Sequence, residues 1–252
     1  MLMDAPLFSV TNIKFNVIIL AAGMGRRLQP ETDFIPKALV NVGQARAIDY
    51  TIRKFQFVAE RMIIASGYCA DLLENYVRGR YTAPAMFFSR ESVSELCGPG
   101  ASFLYALDYA SCRHPTIVTF CDFIFADQFS VDTDTIVICK PGSAEAVLDT
   151  YRTLAVVEEG VVSDIVPNTD PESIRDNGFT GTAICHNTTL LKAIAYSQAS
   201  SKSTLGDLDY TRDVIRNYVK VIRTLAAPVS SMFEFGTEES LARTRRYLDA
   251  DY

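Results

Sequence analysis

Asn16-Val-Ile-Ile-Leu-Ala-Ala22 is an almost unbroken apolar run that stops at Gly23-Met-Gly25. A strand with one wet face alternates apolar and polar residues, whereas a strand covered on both faces does not. The run therefore specifies an interior strand of a parallel sheet, and the rest of the chain must supply layers for both of its faces. The glycines then turn the chain at the strand's carboxyl end.

The segments that follow supply those layers. Ala47 to Phe57 fits a helix, and Arg61 to Ser66 reads as a second buried strand. Ala70 to Arg78 is helical, with Asp71 and Glu74 early and Arg78 and Arg80 late, complementing the helix dipole. Met86 to Phe88 is a short strand, Gly100 to Ala110 an apolar helix, and Thr116 to Phe120 another buried strand. Strands are expected at Thr135 to Cys139, Leu154 to Val157 and Thr182 to Cys185, with a loop rich in Asp, Asn and Pro from Ser163 to Asn177. Asp207 to Val219 reads as an amphipathic helix and Glu238 to Leu248 as a last one, capped by Thr237. This alternation predicts an α/β fold: three layers, a mostly parallel central sheet with helices on both faces, Rossmann-like. There is no internal repeat, low-complexity tract or linker, so we expect one domain. It comprises a tail over 1–12 and two halves, 13–130 and 131–252.

Composition narrows the function. The chain has 252 residues, of which 48% are hydrophobic, enough for a full core without a metal or disulfide staple. Its net charge of −6 argues against non-specific nucleic-acid binding, which needs a basic face. Cys69, Cys97, Cys112, Cys121, Cys139 and Cys185 form no C-x-x-C pair, and His114 and His186 are the only histidines, so no zinc-ligand spacing can be assembled. Scattered thiols suit a reducing compartment. With no basic leader and no apolar run of spanning length, the expected address is the cytoplasm, with no membrane partner. A homo-oligomer is compatible with this sequence.

Ligands of open α/β sheets sit beyond the carboxyl ends of the strands. The loop Ala22-Gly23-Met24-Gly25-Arg26-Arg27 lies at such an end, where glycines let main-chain N–H groups approach a phosphate. It is neither a Walker A motif nor a dinucleotide fingerprint, because Leu28 takes the third glycine's place. Taken alone, it is equally compatible with a plain tight turn. Asp122 follows the strand ending at Phe120, where a carboxylate suits Mg²⁺; a turn or capping role is the plain alternative.

The wider pattern is more specific. Leu20-Ala-Ala-Gly-x-Gly-x-Arg27-Leu-x-Pro30-x-Thr32, then Pro36-Lys37-x-Leu39 and Val42-Gly43, closely resembles the signature of the sugar-phosphate nucleotidyltransferases. The resemblance implies a nucleotide-diphospho-sugar transferase-like fold, a nucleotide-binding half over 13–130 and an acceptor-binding half over 131–252. It implies a Mg²⁺-dependent enzyme whose partners are a nucleoside triphosphate and a small phosphorylated acceptor. Leu20, Ala21, Ala22, Gly23 and Gly25 would bind the nucleotide, Arg27 would hold the departing pyrophosphate, and Lys37 the α-phosphate under attack. Asp122 and Glu234 would share the metal, the latter within Phe233-Glu-Phe-Gly-Thr-Glu-Glu239, which resembles the family's late motif. Cys97-Gly98-Pro99-Gly100 resembles the family's base-contacting stretch, with Gly98 as the contact.

Three positions depart from the family's pattern. Cys121 stands where Gly usually precedes the metal-binding Asp, and Glu234 where Asp is usual. The family's Glu-Lys-Pro is replaced by Asp164-Ile-Val-Pro167, without the lysine that holds the acceptor's phosphate. Arg175 or Lys140 could substitute, and Thr180 lies on a segment resembling the acceptor-side strand. The nucleotide half is thus intact and the acceptor half altered, as in the related choline-phosphate cytidylyltransferases of surface biosynthesis. A sugar 1-phosphate and a non-sugar phosphate monoester such as phosphocholine both stay open as acceptors. A non-catalytic nucleotide-binding homologue is a further alternative. A dinucleotide-dependent oxidoreductase is disfavoured, since only Asp49, inside a helical stretch, offers the required acid.

Overall fold

The first apolar run divides its side chains between two cores. The computed structural model describes residues 13–90, 98–125, 127–139, 153–169, 177–229 and 232–250. In it Phe15–Leu20 forms β1, buried throughout. Val17 and Ile19 join one apolar cluster, while Ile18 and Leu20 join another on the opposite face. That is why no polar residue interrupts the run. Asn16 at its start is also buried, and its amide donates to the carbonyls of Ser111 and His114 at 2.9 and 3.0 Å.

A short hairpin, β2 (Asn41–Val42) and β3 (Ala45–Arg46), leads into α1 (Ala47–Phe55). There follow β4 (Ala59–Ser66), α2 (Ala70–Arg80), β5 (Ala85–Arg90), α3 (Pro99–Leu107), β6 (Thr116–Phe120) and β7 (Phe123–Phe125). The second half supplies β8 (Thr135–Cys139), β9 (Thr153–Glu158), β10 (Val161–Pro167), β11 (Gly178–Cys185) and α4 (Thr188–Ser200). A π-helical turn over Tyr210–Ile215 continues into α5 (Arg216–Val221), followed by β12 (Thr224–Val229), β13 (Met232–Glu234) and α6 (Glu238–Ala250).

The main sheet has nine strands in the order β5-β4-β1-β6-β11-β8-β12-β10-β9. Side chains of α1 and α2 (Ile48, Ile52, Phe55, Leu73 and Val77) cover one face. The other face packs against α3, α4, the π-helical turn and α5. Three layers result, as expected. The sheet is more mixed than the sequence reading predicts. Four neighbour pairs are parallel (β5–β4, β4–β1, β1–β6, β8–β12) and four antiparallel (β6–β11, β11–β8, β12–β10, β10–β9). Only β11 and β10 run against the rest. The two halves share one sheet and meet where β11 of the second half pairs with β6 of the first.

The expected loop from Ser163 to Asn177 is corrected by β10, which extends to Pro167. Asp and Pro suggested a loop, but the strand buries Val162 and Ile165 across a register shift and ties Asp164 to Arg216. Helix α4 and strand β12 went unread. The first buries only Thr188, Leu191 and Ala195, a narrow stripe, and the second contains Pro228, which ordinarily argues against an interior strand.

Candidate active site

The carboxyl ends of β1, β4 and β6 lie side by side, and the site is built on what leaves them. Tyr68 N, in the loop after β4, donates to Ala22 O at 3.0 Å, lacing that loop to the one after β1. Gly25 adopts a left-handed φ of +75°. A Cβ there would sit 2.8 Å from Lys37 Cβ, so glycine is required for Lys37 to lie across the loop. Thr32 Oγ1 donates to Gly25 O at 2.9 Å, and Leu28 N does so at 2.8 Å from a single 3₁₀ turn anchored by the buried Leu28. Lys37 opens a second such turn after Pro36, anchored by the buried Ala38 and Leu39.

Lys37 Nζ meets Asp122 Oδ2 at 2.8 Å, joining the loop after β1 to the residue two positions beyond β6. Both side chains are largely shielded, at 13% and 29% exposure, so the pair is held in place without being sealed from ligand. The preceding Cys121 is buried, and desolvation, helped by the Asp122 charge and opposed by Lys37, pushes its thiol up to about 12. It stays protonated at neutral pH and serves as packing.

Glu234 reaches the same place from the far end of the chain. Strands β13 and β7 pair antiparallel, with Glu234 opposite Phe123, and Phe235 N donates to Asp122 O at 3.1 Å. Glu234 and Arg27 both close on Gly236, where a Cβ would lie 2.5 Å from Glu234 Oε1 and 3.3 Å from Arg27 Nη2. Thr237 caps α6, accepting from Ser240 N at 3.1 Å, as its sequence position predicts. Among the described residues no group of three or more His, Cys, Asp or Glu side chains forms a metal cage. The donors present at the site are carboxylate oxygens from Asp122 and Glu234. This all-oxygen set fits a hard cation such as Mg²⁺ that keeps its own waters, and does not fit zinc.

Two adjoining cavities share Pro99, Phe120 and Asp122. One, of about 300 Å³, is lined by Leu20, Ala21, Ala22, Gly23, Gly25 and Lys37, as well as Ser102 and Cys121. The other, of about 500 Å³, is lined by Arg27, Glu234 and Thr237 and also by Phe179, Thr180, Asp209, Thr211 and Arg212. Every expected nucleotide-side residue except Gly98 therefore lines a cavity. Gly98 is instead the N-cap of α3, and the neighbouring Pro99 and Ser102 face the space. Thr180 lines the larger cavity, but its hydroxyl donates to Val137 O at 2.9 Å and so braces the sheet. Arg175 and Lys140 lie outside the described residues. At the Glu-Lys-Pro position, Asp164 is occupied by Arg216 through two bonds of 2.7 and 2.8 Å, and only Pro167 reaches the cavity. Asp209, Thr211 and Arg212 are the residues that sequence reasoning missed. The available signal was an Asp-x-x-Arg step opening the helical stretch, which the reading starts too early, at Asp207.

Sheet order and site position define an α/β protein of the nucleotide-binding type, its ligand space beyond the ends of parallel strands. The chain belongs to the family of MobA-like NTP transferase domains, whose model matches residues 17–158. Over 95 residues it is 36% identical to N-acetylmuramate alpha-1-phosphate uridylyltransferase of Caulobacter vibrioides, covering 36% of this chain and 39% of that protein. Over 74 residues it is 40% identical to choline-phosphate cytidylyltransferase of Streptococcus pneumoniae, covering 28% of this chain and 31% of that one. These alignments span well under half the length of the curated relatives. A solved UDP-glucose pyrophosphorylase complexed with UDP-glucose superposes with a TM-score of 0.76 at 19% identity, covering 95% of this chain and 100% of that one; this likeness is one of fold. Among the described residues no helix is long and apolar enough to cross a membrane.

Proposed function

We propose that the chain is a nucleotidyltransferase that moves a nucleoside monophosphate from a triphosphate onto the phosphate of a small acceptor, with a sugar 1-phosphate as the first class to consider. The observation that carries the reading is the Lys37–Asp122 pair at 2.8 Å, set between the glycine loop and the Arg27–Glu234 wall. One charged couple thus touches both cavities, where a triphosphate and an acceptor would meet.

In this reading an acceptor phosphate oxygen forms a bond to the α-phosphorus. The bond from that phosphorus to the β-bridging oxygen breaks, and pyrophosphate leaves. The phosphate is itself a competent nucleophile, so no protein group need donate an electron pair. Catalysis then consists of positioning and charge neutralisation. Lys37 holds the α-phosphate, Arg27 the departing pyrophosphate, and the backbone of Gly23 to Gly25 the triphosphate chain. Asp122 and Glu234 would hold Mg²⁺, which supplies charge neutralisation on the phosphate oxygens. A cytoplasmic address belongs to the same reading.

A second acceptor class is favoured by a specific observation. The segment Asp164 to Pro167, at the Glu-Lys-Pro position, has no lysine and its Asp164 is paired with Arg216, and one relative is named for choline phosphate. Cytidylyl transfer to a non-sugar phosphate monoester is that alternative. The test is pyrophosphate release by purified protein with Mg²⁺, each of the common triphosphates, and a panel containing glucose 1-phosphate, N-acetylmuramate 1-phosphate and phosphocholine. One base–acceptor pair is expected to support turnover that EDTA abolishes. A protein that binds triphosphate yet releases no pyrophosphate with any acceptor is a non-catalytic homologue, and the proposal fails.

A further inference from the structure

The larger cavity contains a cation that no family motif assigns. Arg27 and Arg212 are its two cationic side chains among the described lining residues, and they come from different elements, the turn after β1 and the π-helical turn. Arg27 stands with Glu234 on the nucleotide side. Arg212 comes from the π-helical turn over Tyr210–Ile215, a rare backbone form often found at functional sites.

That turn holds Arg212 from several directions. Asp209 accepts from Arg212 N at 2.7 Å through Oδ1, and its Oδ2 lies 3.2 Å from Arg212 Nε. Asp209 N in turn donates to Asp213 Oδ2 at 2.8 Å, and Lys202 Nζ sits 2.8 Å from the same oxygen. Tyr210, fully buried between Phe103 and Phe120, anchors the turn in the core. Gly181, at φ +82°, lets the Phe120 ring pass where a Cβ would approach to 2.5 Å. Arg212 is therefore held by its Nε and its backbone, while its side chain stays 60% exposed. Its terminal nitrogens have no hydrogen bond within the described residues, and these two parallel donors match the oxygens of a phosphate monoester.

We infer that Arg212 holds the acceptor's phosphate, taking the part of the missing Glu-Lys-Pro lysine. The acceptor class is a phosphate monoester dianion that enters the 500 Å³ cavity with its phosphate held by Arg212, in the space that adjoins the smaller cavity at Asp122. The body of the acceptor then meets Phe179, Thr153 and Pro167. This rests on the nucleotidyltransferase reading above and adds the residue that selects the second substrate. Asp209 is a positioning residue, acting through Arg212.

The experiment measures pyrophosphate release by the full chain and by Arg212→Gln, Arg212→Lys and Arg175→Gln, varying triphosphate and acceptor separately. Arg212→Gln is expected to raise KM for the acceptor at least about tenfold, the usual cost of one charge-assisted contact, with KM for the triphosphate changed less than twofold. Arg212→Lys should recover part of the loss, because it restores the charge and not the fork. Thermal melting checks that each variant is folded. An unchanged acceptor KM in a folded, active Arg212→Gln overturns this inference and leaves the activity standing. A rise confined to Arg175→Gln does the same and moves the role to that residue. A wild-type chain that is inactive with every acceptor overturns both.

Discussion

The two walls of the site are built in opposite ways. The nucleotide wall grows from β1 and β6, adjacent parallel strands, and its side chains follow within a few residues of β6 (Asp122) or in braced turns after β1 (Lys37). The acceptor wall grows from β11, β10 and a π-helical turn, elements of different direction and type, and its Arg212 side chain is 60% exposed. Parallel strands end together, so they deliver the residues after them to one place with little further design. An antiparallel and helical wall has no such common edge, and each contact must be set by its own turn. The first wall is accordingly the one on which recognisable motifs lie, and in the proposed reading the second is the one free to change acceptor.

The contrast can be broken experimentally, most severely at the charged pair of the nucleotide wall. Lys37→Ala should lower kcat/KM by about 10²–10³-fold, the range for deleting one donor to developing charge, with the melting temperature little changed. Activity within tenfold of wild type in a pyrophosphate assay would remove Lys37 from the reaction. Next in size is Gly181→Ala on the acceptor wall. Its φ of +82° and a Cβ only 2.5 Å from the Phe120 ring predict a loss of about 2–3 kcal/mol from strain and overpacking. Urea denaturation reads this directly, and a change below about 0.5 kcal/mol would mean that Phe120 moves aside freely.

The smallest effect belongs to Asp164, in the segment that stands at the Glu-Lys-Pro position. The Arg216 hydrogen bonds hold its carboxyl below the usual range, assisted by the Ile165 N–H and the Arg216 and Lys220 charges and opposed by burial. A lowered native value means that the stabilisation is present above the unfolded value, about pH 4, and is lost as pH falls through the native one. Asp164→Asn should therefore be modestly less stable at pH 7 and should lose less on acidification. Urea midpoints at pH 7 and pH 3 test this, and an equal gap between variant and wild type at both would show the pair to be inert.

Much of the nucleotide wall was legible before any fold was known. Buried strands announce themselves by unbroken apolar runs, and Gly25, Arg27 and Lys37 lie close enough along the chain for a motif to carry them. Thr116–Phe120 and Thr135–Cys139 were read with the boundaries that the structure has. The acceptor wall was far less legible. Strand β10 was obscured by Asp164 and Pro167, β12 by Pro228, and α4 by its thin apolar stripe.

The sequence by itself determined an α/β protein with a phosphate-oriented loop after its first strand, because those signals are local: run length, glycine position and helix caps. The tertiary structure decided what local signals do not contain. It brought Glu234 beside Asp122 by pairing β13 with β7, joined the two halves of the sheet at β6 and β11, and brought Arg212 to the cavity that Arg27 also lines. These juxtapositions depend on strand pairing between distant segments, whose partners are chosen by the burial of whole faces.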